Sequence, residues 1–277
     1  SSKTLPFPEF RTTVISPFYR KTLRMTEYVE EERSNATLKT ELKTKDRVAI
    51  IGMETGIPTV FQDNVRASAL SIIIGNNAKK YSCFENTIKM WVYEEMIGDR
   101  KLSEIINTEH ENVKILDLSV RVRAFLHRTY LQGFRLPENI VAVPDIVDVV
   151  SDATCLVFCI PHQVAVSSAR SLLFLPKVLD QIKHHVVPGT YAISCIKGVD
   201  HDENGKLRLI TGMIYDELNI DCSILCGANV ANQIAAGEFA EALSGVALLS
   251  LTPSYRVRDH AEKLQVLFNT PDFCVTL

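Results

Sequence analysis

From Arg47 onward, short β-rich apolar runs alternate with stretches of helical period. That alternation narrows the fold more than any other feature, because parallel neighbouring strands need a crossover, usually a helix, to bring the chain back to the same edge. The runs predicted as strands are 47–51, 88–93, 140–143, 154–160, 191–196, 222–226 and 273–277. Residues 154–160 are apolar almost throughout, as expected of a central strand covered on both faces. The predicted class is therefore α/β, a Rossmann-like, doubly wound and mostly parallel sheet. A length of 277 residues allows one such core with appendages.

The first run ends on Gly52. In a dinucleotide-binding βαβ unit, the first strand closes on a glycine that lets the chain turn tightly toward a phosphate-binding helix. Here Gly52 is followed by Met53-Glu54-Thr55-Gly56-Ile57-Pro58, which does not complete the usual glycine pattern. The second run reaches Tyr93 and is followed by Glu94 and Glu95. An acid at that strand end accepts from an adenosine ribose and repels a 2′-phosphate. A charged helix start explains Glu94 equally well.

Other runs deliver polar residues to the same sheet edge, where ligands of open α/β folds bind. Residues 154–160 lead to Pro161-His162-Gln163, and 191–196 lead to Lys197-Gly198, whose ammonium suits a phosphate or carboxylate. The run 222–226 leads through Gly227-Ala228-Asn229-Val230 to Ala231, small residues that allow close backbone approach.

A net charge of −3 gives no basic face for nucleic acid or anionic lipid. No apolar run approaches the ~20 residues of a membrane span. The seven cysteines include no CxxC pair to suggest zinc, and an odd count with placement largely in apolar runs favours reduced core thiols over disulfides. Residues 1–46 are polar and carry Pro6 and Pro8, which predicts a disordered tail ahead of a domain spanning 47–277. Its basic start faintly resembles a transit peptide but lacks an amphipathic face, and a cytoplasmic location is expected.

Five strings carry a family resemblance: "KMWVYEEMIGDRKLSEIINTEHENVK", "GFRLPENIVAVPDI", "LVFCIPHQ", "SCIKGVD" and "CGANVANQIAAGEFAEA". In these the chain resembles the cytosolic NAD-dependent glycerol-3-phosphate dehydrogenases. The resemblance implies an NAD cofactor, a second helical domain, a homodimer, and reversible hydride transfer between NADH and dihydroxyacetone phosphate, giving sn-glycerol 3-phosphate. It implies that Gly52 is the first phosphate-loop glycine and that Ser68 opens the helix after the loop. It places Tyr93 near the adenosine, Phe174 as the aromatic after Pro-His-Gln, Ala231 against the cofactor, and Lys197 on the substrate. In the family an aromatic, not an acid, holds the strand-end position.

Departures from the family are local and sharp. Inserts stand near 53–66, 115–129 and 164–173, with sequence resuming in register after each, as a retained intron or unusual splice form would leave it. The family's loop, Gly-Ser-Gly-Asn-Trp-Gly, is interrupted, with Ala67 in the third glycine's place. Glu54 near a pyrophosphate costs about 1 kcal/mol in water and about 4 at an effective dielectric of 20, so weak or absent NAD binding is expected. The resemblance also puts the catalytic lysine and an Arg-Asn pair beyond Leu277. A positioned general acid contributes ~100-fold to 10,000-fold, so these residues alone are expected to turn over negligibly. The alternative function is an inactive truncated or mis-spliced form that at most binds nucleotide or pairs with full-length subunits.

Overall fold

The computed structural model describes residues 45–52, 61–111, 135–160, 163–164, 172–196, 199–201, 205–227, 231–246 and 255–276. Within them the chain runs through β1 (Val48–Gly52), α1 (Phe61–Lys80), β2 (Ile88–Trp91), the hairpin β3 (Met96–Ile97) and β4 (Arg100–Lys101), and α2 (Leu102–Glu109). Then follow β5 (Ile140–Val143), α3 (Ile146–Val150), β6 (Cys155–Cys159), the pair β7 (Gln163–Val164) and β8 (Leu172–Leu173), α4 (Phe174–Ile182) and β9 (Tyr191–Ser194). The last part holds β10 (Val199–His201), β11 (Leu207–Leu209), α5 (Ile210–Leu218), β12 (Asp221–Gly227), α6 (Ala231–Ala235), β13 (Ala240–Val246), α7 (Tyr255–Phe268) and β14 (Phe273–Thr276).

Eight strands form one sheet in the order β14-β13-β12-β9-β6-β1-β2-β5. Counting main-sheet strands along the chain, the six from β5 to β12 read 3-2-1-4-5-6, the doubly wound dinucleotide-binding order. Their pairings are all parallel. The winding reverses around β1, which lies between β2 and β6 with Gly52 level with Cys159. Ligands of such sheets bind at that reversal, outside the carboxyl ends of the strands.

Alternation along each strand builds two cores. Val48 and Ile50 face one side with α1, α2, α6 and α7, through residues such as Leu70, Ile74, Ile106, Ile234 and Leu267. Ala49 and Ile51 face the other with α3, α4 and α5, through Val150, Leu179 and Ile214. This double coverage makes β1 and β6 buried at every position, which is why their sequences are apolar throughout.

The sequence reading gave no strand at 240–246, and the structure places β13 there, antiparallel to β12. Its buried Ala240, Ala242 and Ser244 alternate with exposed Glu241 and Leu243, a period-2 signal hidden by small residues. The β12–β13 seam needs Gly227, at φ +148°, because a Cβ there falls 2.5 Å from the Glu241 carbonyl oxygen and 2.7 Å from Ala242 Cα. Gly227→Val is expected to destabilise the protein by more than about 2 kcal/mol in urea denaturation, through backbone that has no room to shift.

At the opposite, amino edge, one carboxylate ties several elements. Asp46, placed by sequence in the tail, is 5% exposed and part of the fold. Its Oδ1 accepts from the Thr154 hydroxyl at 2.8 Å, and its Oδ2 accepts from the Tyr191 hydroxyl and the Lys263 ammonium, both at 3.0 Å. Lys263 comes from α7, Thr154 precedes β6 and Tyr191 opens β9, so the cluster joins the start of β1 to all three. His260 stacks on Tyr191 with ring centroids 4.1 Å apart.

The expected tail up to residue 44, the insert 115–129 and Lys197 lie outside the described residues.

Candidate functional site

Gly52 ends β1 where the strand is in close contact with α1. A Cβ added there meets Ala67 Cβ at 2.9 Å and stands 3.9 Å from the Trp91 carbonyl oxygen. Only glycine keeps β1 and α1 at this spacing, and Ala67 fills the packing role of a third loop glycine. The sequence reading opens the helix at Ser68, but α1 begins at Phe61. Ser68 is therefore a buried residue inside the helix, 4% exposed. Amides around Ala67 belong to helix interior rather than to a free N-terminus, because residues 61–66 extend the helix by about 9 Å at 1.5 Å per residue.

At the neighbouring strand end, Tyr93 lies two residues past β2 and is 55% exposed. Glu94 has a structural task. Its carboxylate accepts from the Ser103 hydroxyl at 2.6 Å and the Ser103 amide at 3.2 Å, satisfying the first turn of α2, which has no other side-chain cap. The helix-start explanation for Glu94 is the one this geometry supports.

Phe174 opens α4 and stacks on Trp91, with centroids 6.5 Å apart and planes 17° from parallel. Trp91 is held in turn by its indole N–H, which donates to the Pro144 carbonyl at 3.0 Å. Residues 164–173, expected from sequence to be an insert, leave and return at one place. Gln163 pairs with Leu173 and Val164 with Leu172, which brings Phe174 back beside Gln163 despite the ten residues between them. Ala231 opens α6 at the far end of the same edge, after β12, and is 9% exposed.

The buried Cys195 thiol near this edge is disfavoured from ionising. A hydrogen bond with Cys159 and burial push the Cys195 thiol well above its ordinary range, while the charge of Arg66 opposes them. Arg66 itself was not singled out by sequence reasoning. It is 7% exposed, and its Nη1 donates to the Cys195 carbonyl at 3.2 Å, across the end of β6. The signal was a lone basic residue within the small, apolar stretch Val65–Leu70.

A family profile described as the N-terminus of NAD-dependent glycerol-3-phosphate dehydrogenase matches residues 67–250. The chain belongs to this family. It is 41% identical over 210 residues to a zebrafish (Danio rerio) glycerol-3-phosphate dehydrogenase 1-like protein, and 40% identical over 210 residues to the bovine (Bos taurus) cytoplasmic NAD(+) glycerol-3-phosphate dehydrogenase. Each match covers 76% of this chain and 50% of the relative, so the chain spans about half the length of those curated relatives. A solved glycerol-3-phosphate dehydrogenase from Saccharomyces cerevisiae superposes with a TM-score of 0.65 at 32% identity, over 84% of this chain and 56% of that one. The family match begins at Ala67, the residue that meets Gly52. The Rossmann-like, mostly parallel fold is thus shared with the family's NAD-binding domain. Among the described residues, no helix is long and apolar enough to cross a membrane.

The described edge fits a dinucleotide in two respects. The strand order places β1 at the reversal, and the missing Cβ of Gly52 lets α1 approach the end of β1 at Ala67. The loop residues 53–60 lie outside the described residues.

Proposed function

We propose that this chain is the nucleotide-binding part of a cytoplasmic, homodimeric NAD-dependent glycerol-3-phosphate dehydrogenase acting on dihydroxyacetone phosphate and sn-glycerol 3-phosphate. The contact of Gly52 with Ala67 at the sheet's reversal carries the reading, since it keeps the strand-to-helix approach of a dinucleotide site. Bound NAD supplies the hydride acceptor or donor. Around it, Gly52 admits the pyrophosphate close to the backbone, and Ser68 supports that turn from within α1. Tyr93 offers an exposed ring for the adenosine, the Phe174–Trp91 stack walls the crevice against water, and Ala231 leaves room at its far end. Lys197 fixes the substrate by charge.

In this proposal no catalytic residue lies within residues 1–277, and the domain is interrupted by inserts near 53–66, 115–129 and 164–173. A polypeptide of these residues, assayed alone for NADH oxidation with dihydroxyacetone phosphate, is expected to stay far below ~1 per second, the low end of ordinary turnover. A rate near that value contradicts it.

One observation favours the second reading, a non-catalytic form that at most binds nucleotide or pairs with full-length subunits. With α1 extended to Phe61, the amides beside Ala67 are spent inside the helix, not aimed at a pyrophosphate.

A further inference from the structure

Arg66 stands where the fold gathers ligands. The following residue, Ala67, meets Gly52, which fixes Arg66 at the carboxyl edge of β1. From there its side chain reaches the carbonyl of Cys195, the residue that follows β9 and lies two positions before Lys197. The contact from α1 to the residue after β9 thus spans the carboxyl end of β6, at the reversal of strand order.

We propose that Arg66 is an anion-binding residue of this crevice, taking a phosphate oxygen of either the dinucleotide or the triose phosphate. The proposal rests on the reading of this edge as a nucleotide and substrate site. A guanidinium stays charged at any working pH and presents a planar fork that matches phosphate geometry. At 7% exposure its field is poorly screened, so an oxyanion meeting it is held more strongly than at the surface. With the amides near Ala67 spent inside α1, a side-chain cation provides what the interrupted loop does not. The carbonyl of Cys195 holds the fork at the carboxyl end of β9.

The test is calorimetric titration of the 277-residue protein and its Arg66→Met and Arg66→Lys variants with NADH, sn-glycerol 3-phosphate and inorganic phosphate. Thermal melts confirm folding. A lost charge-assisted hydrogen bond is worth ~1.5–3 kcal/mol, so Arg66→Met is expected to weaken a phosphate-bearing ligand about tenfold to a hundredfold. Loss confined to NADH assigns the dinucleotide as the source, and loss confined to glycerol 3-phosphate assigns the substrate. Arg66→Lys, which keeps charge but not the fork, is expected to fall between, and it decides the matter if Arg66→Met does not fold: wild-type affinity in Arg66→Lys then overturns the proposal. Unchanged affinities in Arg66→Met also overturn it while leaving NAD binding intact. Binding of phosphate but not NADH to the wild type, lost in Arg66→Met, upholds Arg66 and assigns its anion to a source other than the dinucleotide. No binding of any of the three to the wild type overturns the Arg66 proposal, and the loop-restored chain then decides the nucleotide reading.

Discussion

Asp46→Ala is expected to destabilise the protein by about 3–5 kcal/mol, because removing one partner of a buried ion pair strands the other. Lys263 is 5% exposed, and its ammonium lies 3.0 Å from Asp46 Oδ2. Without that carboxylate its remaining ion-pair partner among the described residues is Asp259 at 3.2 Å, whose side chain is 41% exposed. The hydroxyls of Thr154 and Tyr191 lose their acceptor in the same step. At about 2–4 °C per kcal/mol for a protein of this size, the melting temperature falls by roughly 10 °C. Lys263→Met is expected to cost less, since Asp46 then keeps two hydroxyl donors. A loss below about 1 kcal/mol for Asp46→Ala would show that the cluster is incidental.

The same cluster sets a pH window. Burial pulls the Lys263 ammonium down, but Asp46 and Asp259 outweigh it and its pKa is raised. Its contribution is therefore complete below the ordinary lysine value near ~10.4 and is lost as pH rises through the folded one. Burial lowers the His260 pKa against the pull of Asp221 and Asp259. That contribution is complete above the ordinary histidine value near ~6.5 and falls as the pH drops toward the lower, folded one. Melts across pH should show stability declining on both sides of this range, with the acid limb reduced in His260→Phe.

The strands were legible because burial on two faces writes itself into sequence. Residues 48–52 and 155–159 are apolar at each position, and no surface strand needs that. The strand Ala240–Val246 was not, since alanine and serine satisfy its buried face without looking hydrophobic. The amino-edge cluster was invisible for another reason. Asp46, Thr154, Tyr191 and Lys263 are far apart in sequence, and nothing local announces that they meet. Arg66 shows the same limit at the site, because its partner Cys195 is 129 residues away. Phe174 was proposed through the family pattern, and the short pairing of Gln163 with Leu173 brings it back beside Gln163.

Replacing residues 52–67 with Gly-Ser-Gly-Asn-Trp-Gly is expected to produce the largest gain in NADH affinity of any change here. The exchange ends the helix extension, so that α1 opens at Ser68 with its first amides free to meet a pyrophosphate. It also removes Glu54 from the loop, where a like charge costs about 1 to 4 kcal/mol. The buried face from Ala69 through Leu70, Ile73 and Ile74 to Ala78 lies after the exchange and keeps its packing. At 1.4 kcal/mol per decade, the charge term alone amounts to roughly one to three decades, and the freed amides take over at the phosphate from Arg66, which the exchange also removes. Calorimetric titration of the unmodified and loop-restored chains with NADH is the most direct measurement of whether this is the family's nucleotide domain with an interrupted loop. The expected result is weak or undetectable binding by the first and at least tenfold tighter binding by the second; equal affinities in two folded proteins would contradict it.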